Sequence, residues 1–458
     1  MKKIAKFFVV LLMTILLLTE PFTGVAVQAA EFDPGLELHS EAVALINLDT
    51  GVTVYTKNGN ARMEPASVTK IVVAMMLLEH VQDDISRLHN INITVRPYII
   101  DELYGTNSSL SGLVKNETLT AEQMIHCLMI PSGNDAAMAI ADYLGNGDIS
   151  AFVDQMNARV AELGCTNTHF SNPHGLHDED HYTSANDMAK IIQHILSSSY
   201  ADKFMSICTT KAYVLGPSNV RKKNMTVYST NNMHLSSSKY YYRYTQGIKT
   251  GSTPEAGYCL ATTAFNPNVN YRYLCVTFGA PMTDDAGKRL DNGAMIDHKA
   301  LYQWAFSKLV YKNLLAGKTA VKQIGLNFCW DTDSMLLVPE SDFSALVPSH
   351  ITPDSIVLIP NDDVPESVDA PVQAGQVLGT ANVTYAGMVL GTVNLVADTG
   401  AEASQLLLLK AQAIQMLQSV WLKVGLIAVA VLLAAYIIIS IVHNARRKKR
   451  RRNANRGR

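Results

Sequence analysis

Pro65–Lys70 is the stretch that most constrains this chain, because a serine and a lysine three positions apart open the apolar run Ile71–Leu78. At the start of a helix, two such side chains lie on one face, one turn apart. The run is apolar on nearly every side, which predicts a helix buried at the centre of a domain. Burial of an ammonium without a partner is costly, so Lys70 is a candidate for deprotonation and for action as a base on Ser67.

The same two residues have a simpler interpretation. Ser67 alone is a good N-cap, and Lys70 alone is an ordinary solvated residue of a first helical turn. A Ser-x-x-Lys pattern recurs by chance, so its meaning depends on the rest of the chain.

The N-terminus has the pattern of an export signal. Met1–Lys3 is basic, Phe7–Leu18 is apolar, and Val27–Ala29 has the small-x-small form of a cleavage site. This pattern predicts a signal peptide over residues 1–29. A retained membrane anchor is the alternative, although the apolar segment is short for a span.

The C-terminus has the pattern of a membrane span followed by a basic tail. Val424–Val442 contains 19 residues and no charge, and Arg446–Arg452 follows it. The length suits one crossing, and the basic cluster predicts that residues 443–458 are cytoplasmic and the body extracytoplasmic. A nucleic-acid patch is the alternative for the tail, but its position favours topology and contact with anionic lipids.

The charge of the exported body argues against a nucleic-acid partner. Without the nine basic residues of the tail, and the three basic and one acidic residues of 1–29, the body has 26 basic and 39 acidic groups, a net charge of −13. Such a surface repels a polyanion.

The cysteines show no CxxC spacing, so they do not indicate a zinc site. Export permits disulfides, and Cys259 and Cys275 lie on neighbouring strand-like runs. Buried free thiols are the favoured interpretation for most of the six. They are Cys127, Cys165, Cys208, Cys259, Cys275 and Cys329.

Local patterns divide the body into an α+β domain and a small all-β domain. In the first, strand pairs surround Asp49–Gly51 and Asn266–Asn268, and Thr120 caps one of several helices. A last helix is predicted over Asp284–Leu315. The predicted boundaries are 30–316 for the first domain, 317–400 for a β-sandwich, 401–423 for an amphipathic juxtamembrane helix and 424–442 for the transmembrane helix.

A loop rich in histidine and carboxylate side chains raises the question of a metal site. The spacing fits no helical ligand pair, and such groups are common in exposed loops, so no metal is predicted. The residues are His174, His177, Asp178, Asp180 and His181.

Two further short motifs follow Ser67-x-x-Lys70 along the chain: Ser132–Asn134 and Lys249–Gly251. This order of motifs is typical of penicillin-binding proteins and class A β-lactamases, in which they converge on one cleft. Taken singly, Ser132 is a turn residue after a proline and Lys249 is a protective charge on an edge strand.

The chain resembles the D-alanyl-D-alanine carboxypeptidases, which are low-molecular-mass penicillin-binding proteins. The resemblance covers about residues 35–310, and the β domain after it resembles the family's usual C-terminal domain, especially over residues 370–397. It implies a DD-peptidase or serine β-lactamase-like fold, an antiparallel sheet with helices on both sides. The matching segments are Pro65–Ile71, Ser132–Ala136, Phe170–Leu176, Tyr182–Met188 and Gly247–Ala261.

The resemblance implies roles for three catalytic residues. Ser67 is the nucleophile, Lys70 is its base, and Ser132 relays a proton to the leaving amine. A second cation near Lys70 lowers the pKa of its amine, and Lys249 is the candidate for that cation. No cofactor is expected.

The remaining predicted residues bind substrate. Asn134 orients it, and Lys249 with Thr250 pairs with the free carboxylate of a terminal D-alanine. Gly251 leaves room along the strand edge, and the backbone N–H groups of Ser67 and Ser252 form the oxyanion hole. The implied substrate is a peptidoglycan stem peptide ending in D-Ala-D-Ala, and β-lactams are the implied inhibitors.

Rival functions are a serine β-lactamase, a D,D-endopeptidase and a catalytically silent peptidoglycan-binding scaffold. Class A β-lactamases deacylate through a glutamate. Neither Glu162 nor Glu179 stands in a Glu-x-x-x-Asn context, and the intact motifs argue against a silent protein. Asp187 is expected to support its helix and to have no catalytic role.

Overall fold

The computed structural model describes residues 32–81, 84–316 and 318–454. The predicted signal segment, residues 1–29, lies outside the described residues. The described chain packs as two units. The first runs to Lys312 and includes Ser344–Ser355 and Met388–Gly391, and the second comprises Asn313–Phe343, Ile356–Gly387 and the residues from Thr392 onward.

Between Ala42 and Lys308, the described residues of the first unit form nine strands and eight α-helices. The strands are β1 Ala42–Asn47, β2 Thr53–Lys57, β3 Asn92–Thr94, β4 Thr118–Thr120, β5 Ala212–Leu215, β6 Met225–Tyr228, β7 Thr245–Thr253, β8 Gly257–Asn266 and β9 Tyr271–Ala280. The helices are α1 Lys70–Val81, α2 Pro97–Leu103, α3 Ala121–Met129, α4 Asn134–Leu144, α5 Ile149–Glu162, α6 Ala185–Ser197, α7 Ala201–Cys208 and α8 Gly293–Lys308.

A five-stranded antiparallel sheet in the order β2-β1-β9-β8-β7 organises this unit. Alternate side chains of β9 face opposite ways: Leu274 and Val276 join the main core, whereas Thr277 contacts His298 of α8. Helices therefore cover both faces of the sheet, which confirms the predicted α+β architecture. β7 is an edge strand, so one side of it is open.

Helix α1 lies in the main core. Nine of its 12 residues are buried, among them Lys70. This confirms the buried helix predicted from the apolar run. Because the helix is enclosed on every side, the position of its first turn is set by the surrounding core.

The predicted helix over Asp284–Leu315 is wrong at both ends. Backbone N–H groups of Ala286 and Lys288 bond to the Asp284 carboxylate in a turn, and α8 begins only where Asn292 caps it. Residues Leu309–Leu315 then form strand β10. Turn chemistry around an aspartate thus overrides the weak helical pattern that precedes the cap.

The second unit holds a six-stranded sheet in the order β14-β16-β17-β12-β11-β15. Its core includes Leu326, Leu337, Val383 and Leu395, and the all-β character of this part of the chain is as predicted. The strands that follow α8 along the chain are β10 Leu309–Leu315, β11 Lys322–Asn327, β12 Ser334–Pro339, β13 Phe343–Pro348, β14 Val357–Pro360, β15 Ser367–Asp369, β16 Val377–Tyr385 and β17 Met388–Ala397.

Two helices end the described chain: α9 Gln405–Gln418 and α10 Val420–Ala454. They are separated at Ser419, whose ψ is 131°. Val420–Lys448 is long and apolar enough to cross a membrane, and it contains the predicted span 424–442. The predicted helix over 401–423 is therefore divided, because its last residues belong to the apolar helix.

All six cysteines are free thiols, and Cys329 is the one that is not buried. Cys259 and Cys275 lie on the neighbouring strands β8 and β9, in which Cys275 stands opposite Thr262. The prediction of buried free thiols is confirmed.

Candidate active site

Ser67 lies in a short turn that leads directly into α1. Residues Ala66–Thr69 form a 3-10 turn, in which Ala66 has a left-handed φ of 45°. The Lys70 amine nitrogen Nζ is 2.8 Å from Ser67 Oγ and 2.7 Å from the carbonyl oxygen of His174. The structure thus brings together the predicted nucleophile and base, with Ser67 half-buried and Lys70 fully buried.

The surroundings of Lys70 favour its neutral form. Burial lowers the pKa of the Lys70 amine well below its usual range, and the positive charge of Lys249 lowers it further, while Asp135 opposes them. An uncharged amine has a lone pair, so it can accept the proton of the serine hydroxyl beside it.

The turn Ser132–Asn134 carries a polar group with no partner. Ser132 has a left-handed φ of 67° and is 3% exposed, and its Oγ has no hydrogen-bond partner among the described atoms. An unpaired buried hydroxyl is costly, and such groups cluster at functional sites. Asn134 opens α4, and its backbone N–H donates to the carbonyl of Ser109.

Asp135 joins this turn to the loop that precedes α3. Its buried carboxylate accepts hydrogen bonds from the backbone N–H groups of Ser111, Gly112 and Leu113 at 2.9–3.1 Å. The loop and the Ser132 turn therefore form one rigid piece. The sequence analysis predicted roles for Ser132 and Asn134 but none for Asp135.

Lys249 lies on the edge strand β7 and is 1% exposed. Its amine donates to the carbonyl oxygen of Thr250 at 2.8 Å. Burial lowers the pKa of Lys249 to about 7. The Thr250 hydroxyl, beside it, lies 2.5 Å from the hydroxyl of Thr230.

Gly251 is required by the turn that carries Ser67. A Cβ at position 251 would lie 2.9 Å from the carbonyl oxygen of Pro65 and 3.0 Å from the backbone nitrogen of Ser67. Room along the strand for substrate was the predicted reason for this glycine, and the close approach of β7 to the nucleophile turn is a second one. Ser252 follows it as an exposed residue of β7.

Two residues of the loop Phe170–Leu176 belong to the site and were not predicted. His174 provides the carbonyl oxygen that binds Lys70. Gly175 has a φ of 85°, and a Cβ there would lie 1.8 Å from the carbonyl oxygen of Ala66. The sequence marked this loop only as a segment that resembles the family and as part of a histidine-rich stretch, because the role of a backbone carbonyl cannot be recognised from residue types.

Asp187 has the structural role that was predicted for it. It is 1% exposed, and its carboxylate accepts hydrogen bonds from the Asn167 backbone N–H and the Thr168 hydroxyl.

The histidine-rich loop does not converge as a ligand set among the described residues. The group whose ligand atoms lie within 4.8 Å of one another is Glu64, His177 and Glu255, of which only His177 comes from that loop. His177 and Glu255 are exposed, and His177 pairs with Glu64 at 2.9 Å. An exposed ion pair accounts for this contact.

One cavity of the first unit lies away from the residues that were predicted for the site. A cavity of about 550 Å³ is lined by Lys190, His194, Gln246 and Arg272 among others, and none of the predicted site residues lines it. We place the site at Ser67, because paired and perturbed polar groups meet there.

Comparison with known proteins identifies the family. Residues 26–282, more than half of the chain, match the family model described as D-alanyl-D-alanine carboxypeptidase. The chain belongs to the D-alanyl-D-alanine carboxypeptidase family. Residues 325–403 of this family member match the model for the C-terminal domain of penicillin-binding protein 5.

Individual carboxypeptidases of the family cover most of the chain. D-alanyl-D-alanine carboxypeptidase DacF of Bacillus subtilis (strain 168) is 31% identical over 373 residues, which is 81% of this chain and 88% of DacF. DacA of Haemophilus influenzae is 27% identical over 364 residues, 78% of this chain and 84% of DacA. The predicted family and enzyme class, a peptidase among the hydrolases, are confirmed.

Solved structures show the same fold. Penicillin-binding protein 5 from Haemophilus influenzae aligns with a TM-score of 0.57 at 24% identity, covering 80% of this chain and 98% of its own. The Streptomyces K15 DD-transpeptidase aligns with a TM-score of 0.52 at 26% identity, covering 59% of this chain and 98% of its own. The predicted DD-peptidase fold is confirmed.

Proposed function

We propose that this protein is a serine carboxypeptidase that removes the terminal D-alanine from peptidoglycan stem pentapeptides through an acyl-enzyme on Ser67. The observation that carries the proposal is the 2.8 Å contact between Ser67 Oγ and the amine of Lys70, whose pKa burial lowers well below its usual range. The relatives DacF and DacA, which are D-alanyl-D-alanine carboxypeptidases, support the substrate class.

Acylation follows from this contact. Ser67 Oγ attacks the carbonyl carbon of the penultimate D-alanine, and its proton moves to Lys70 Nζ. The C–N bond then breaks, and the leaving D-alanine amine takes a proton through the hydroxyl of Ser132. The unpaired Oγ of Ser132 supports this relay role, since it has no other hydrogen-bond partner among the described atoms.

Two groups are proposed to stabilise the tetrahedral intermediate. The backbone N–H of Ser67 lies in the turn at the start of α1, and Ser252 belongs to the edge strand β7. Donors fixed in this way stabilise a developing oxyanion with little reorganisation. Gly251 supports the arrangement, because it lets β7 approach the Ser67 nitrogen closely.

Binding of the substrate's free carboxylate is assigned to Lys249 and Thr250, with Asn134 orienting the peptide. A buried ammonium with few partners gains strongly from an incoming carboxylate. The position of Lys249 on the edge strand supports this role, since a peptide that pairs with β7 passes beside it.

Slow hydrolysis of the β-lactam acyl-enzyme is the property that would distinguish this enzyme from a β-lactamase. Glu162 is exposed and paired with Arg159 on α5, and Glu179 is exposed in a loop. Neither glutamate is a candidate for the water-activating residue of a class A β-lactamase. A persistent β-lactam adduct is therefore expected, and β-lactams are proposed inhibitors.

Release of D-alanine from a pentapeptide ending in D-Ala-D-Ala tests the function. The intact protein should release it, and Ser67→Ala should not. After exposure to a β-lactam, intact mass and peptide mapping should place one adduct on Ser67. An adduct on another residue, or none, would contradict the assignment.

The apolar part of α10 is proposed to anchor the enzyme as a single-pass protein with its catalytic domain outside. The basic run after the span supports a cytoplasmic tail. Trypsin added to spheroplasts should leave the tail intact, whereas trypsin added to inverted vesicles should remove it. Cleavage of the tail in sealed spheroplasts would reverse the topology.

A further inference from the structure

A chain of hydrogen bonds links His181 to the turn that carries Ser67. The backbone N–H of Ser171 lies 3.0 Å from His181 Nδ1, and His181 Nε2 lies 2.8 Å from the Thr69 hydroxyl. That hydroxyl donates in turn to the carbonyl oxygen of Ala66 at 2.8 Å. His181 is 2% exposed and Thr69 is fully buried, so water does not compete for these bonds.

The positions of the protons in this chain follow from its first member. A backbone N–H can only donate, so Nδ1 of His181 accepts and carries no hydrogen. The neutral ring then has its hydrogen on Nε2, which donates to Thr69. The Thr69 hydroxyl is thus left to donate to Ala66, and every group in the chain is satisfied.

At one end of the hydrogen-bond chain, the acceptor belongs to a strained residue. Ala66 has a left-handed φ of 45°, which is unfavourable for a residue with a Cβ. Its carbonyl is held by Thr69 on one side and faces Gly175 on the other. Ser67 follows immediately, so the orientation of its backbone N–H depends on the peptide that Thr69 holds.

At the other end of the hydrogen-bond chain, Ser171 belongs to the loop that contacts the base. Ser171 begins the segment whose His174 carbonyl oxygen binds Lys70 at 2.7 Å. One buried imidazole therefore connects the turn of the nucleophile with the loop that contacts its base.

We propose that His181 is a positioning residue for acyl transfer. Through Thr69 it fixes the Ala66–Ser67 peptide, and through Ser171 it fixes the loop of His174. The nucleophile and its base thereby keep the relative positions that attack requires. This inference rests on the proposed function, since it assumes acylation at Ser67. His181 itself touches neither substrate nor reacting atoms.

The neutral state that the chain requires is consistent with its surroundings. Burial lowers the pKa of His181 to about 4, the charge of Asp178 raises it, and His169 and Lys70 lower it. At neutral pH the ring is therefore uncharged and retains one donor and one acceptor.

Two matched pairs of variants separate the hydrogen-bond chain from packing. His181→Gln keeps an acceptor and a donor, because the glutamine amide separates them about as far as the two ring nitrogens do, whereas His181→Leu removes both. Thr69→Ser keeps the hydroxyl, and Thr69→Val removes it at nearly constant volume. All four are made in the full-length protein.

The measurement is acylation by a fluorescent β-lactam, resolved into the rate constant for acylation and the constant for initial binding. Adduct yield by intact mass gives the fraction of active enzyme, so that misfolded protein does not lower the rate. We expect His181→Leu and Thr69→Val to acylate about 10- to 100-fold more slowly with binding changed less than about threefold. We expect His181→Gln and Thr69→Ser to stay within about threefold of the parent, and the double variant with Leu and Val to be no slower than the slower single variant.

Three results would overturn the proposal: unchanged acylation in both His181→Leu and Thr69→Val, equal losses in His181→Gln and His181→Leu, or losses that multiply in the double variant. If His181→Leu does not fold, the two Thr69 variants decide alone. Absence of an adduct on Ser67 in the parent enzyme would instead refute the proposed function, so the two failures are distinguishable.

Discussion

Gly251 lies against the backbone nitrogen of Ser67, and a Cβ at position 251 would come within 3.0 Å of it. The two residues are far apart in the sequence, on an edge strand and at the entrance to a buried helix. The same Cβ would lie 2.9 Å from the carbonyl oxygen of Pro65, a distance that Cβ atoms essentially never show, so the glycine sets the distance between β7 and the nucleophile turn.

We expect Gly251→Ala to lower the acylation rate by about 100-fold, because the Ser67 N–H must move to accommodate the methyl group. Gly216→Ala is the matched control, since a Cβ at position 216 meets no atom within 4 Å. Acylation kinetics with a β-lactam, corrected for the active fraction, measure both. A Gly251→Ala enzyme as fast as the Gly216→Ala enzyme would show that the turn tolerates the shift.

The affinity for substrates with a free carboxylate should weaken above neutral pH. Burial lowers the pKa of Lys249 to about 7 in the free enzyme. As the pH rises through this value the amine loses its charge, so KM should increase by up to about tenfold per pH unit. Steady-state kinetics between pH 6 and 9 on the pentapeptide test this, with a C-terminally amidated analogue as the control. A parallel rise of KM for the amide would exclude the Lys249 charge as the cause.

Removal of the Lys249 side chain should act selectively. Lys249→Ala should lower kcat/KM on the pentapeptide by at least about 30-fold, because a charge-assisted hydrogen bond to the terminal carboxylate is worth about 2–3 kcal/mol. The loss on the amidated analogue should be much smaller. Lys222→Ala removes an exposed lysine and serves as the control. Equal losses of Lys249→Ala on both substrates would contradict the carboxylate role.

Features that depend on residues close together in the sequence could be predicted from it. Thr120 is the predicted N-cap of α3, and with Gln123 it forms a capping box there. The apolar run after Ser67 predicted a buried helix, and the order of the three motifs predicted the site. Each of these features is recognised from residues that are close together in the sequence, either within one or two helical turns or within a short motif.

Contacts between distant segments could not be predicted in this way. His181 meets Thr69 across 112 positions, and Gly175 meets Ala66 only because the loop folds onto the turn. Helix α7 was not predicted, because Ala201–Cys208 has only eight residues and no side-chain N-cap that would mark its start. Such features depend on tertiary packing, which single-sequence periodicity does not record.

His298 should make the protein sensitive to acid. Its ring is fully buried between the hydroxyls of Thr262 and Thr277, at 2.8 and 3.0 Å, and burial lowers its pKa to about 3. An unfolded histidine titrates near pH 6.5, so below that pH the unfolded chain binds the proton and the folded one does not. The free energy of unfolding that His298 contributes is therefore fully present above pH 6.5 and falls by about 1.4 kcal/mol per pH unit toward pH 3.

His298→Gln keeps a donor and an acceptor for the two threonines but does not titrate. Chemical unfolding curves at pH 7, 6, 5 and 4 should therefore show that the free energy of unfolding falls less steeply with acid in this variant, by that amount. His89→Gln, at an exposed position, should leave the slope unchanged. An identical slope in the parent and in His298→Gln would mean that the ring does not remain neutral in the folded protein.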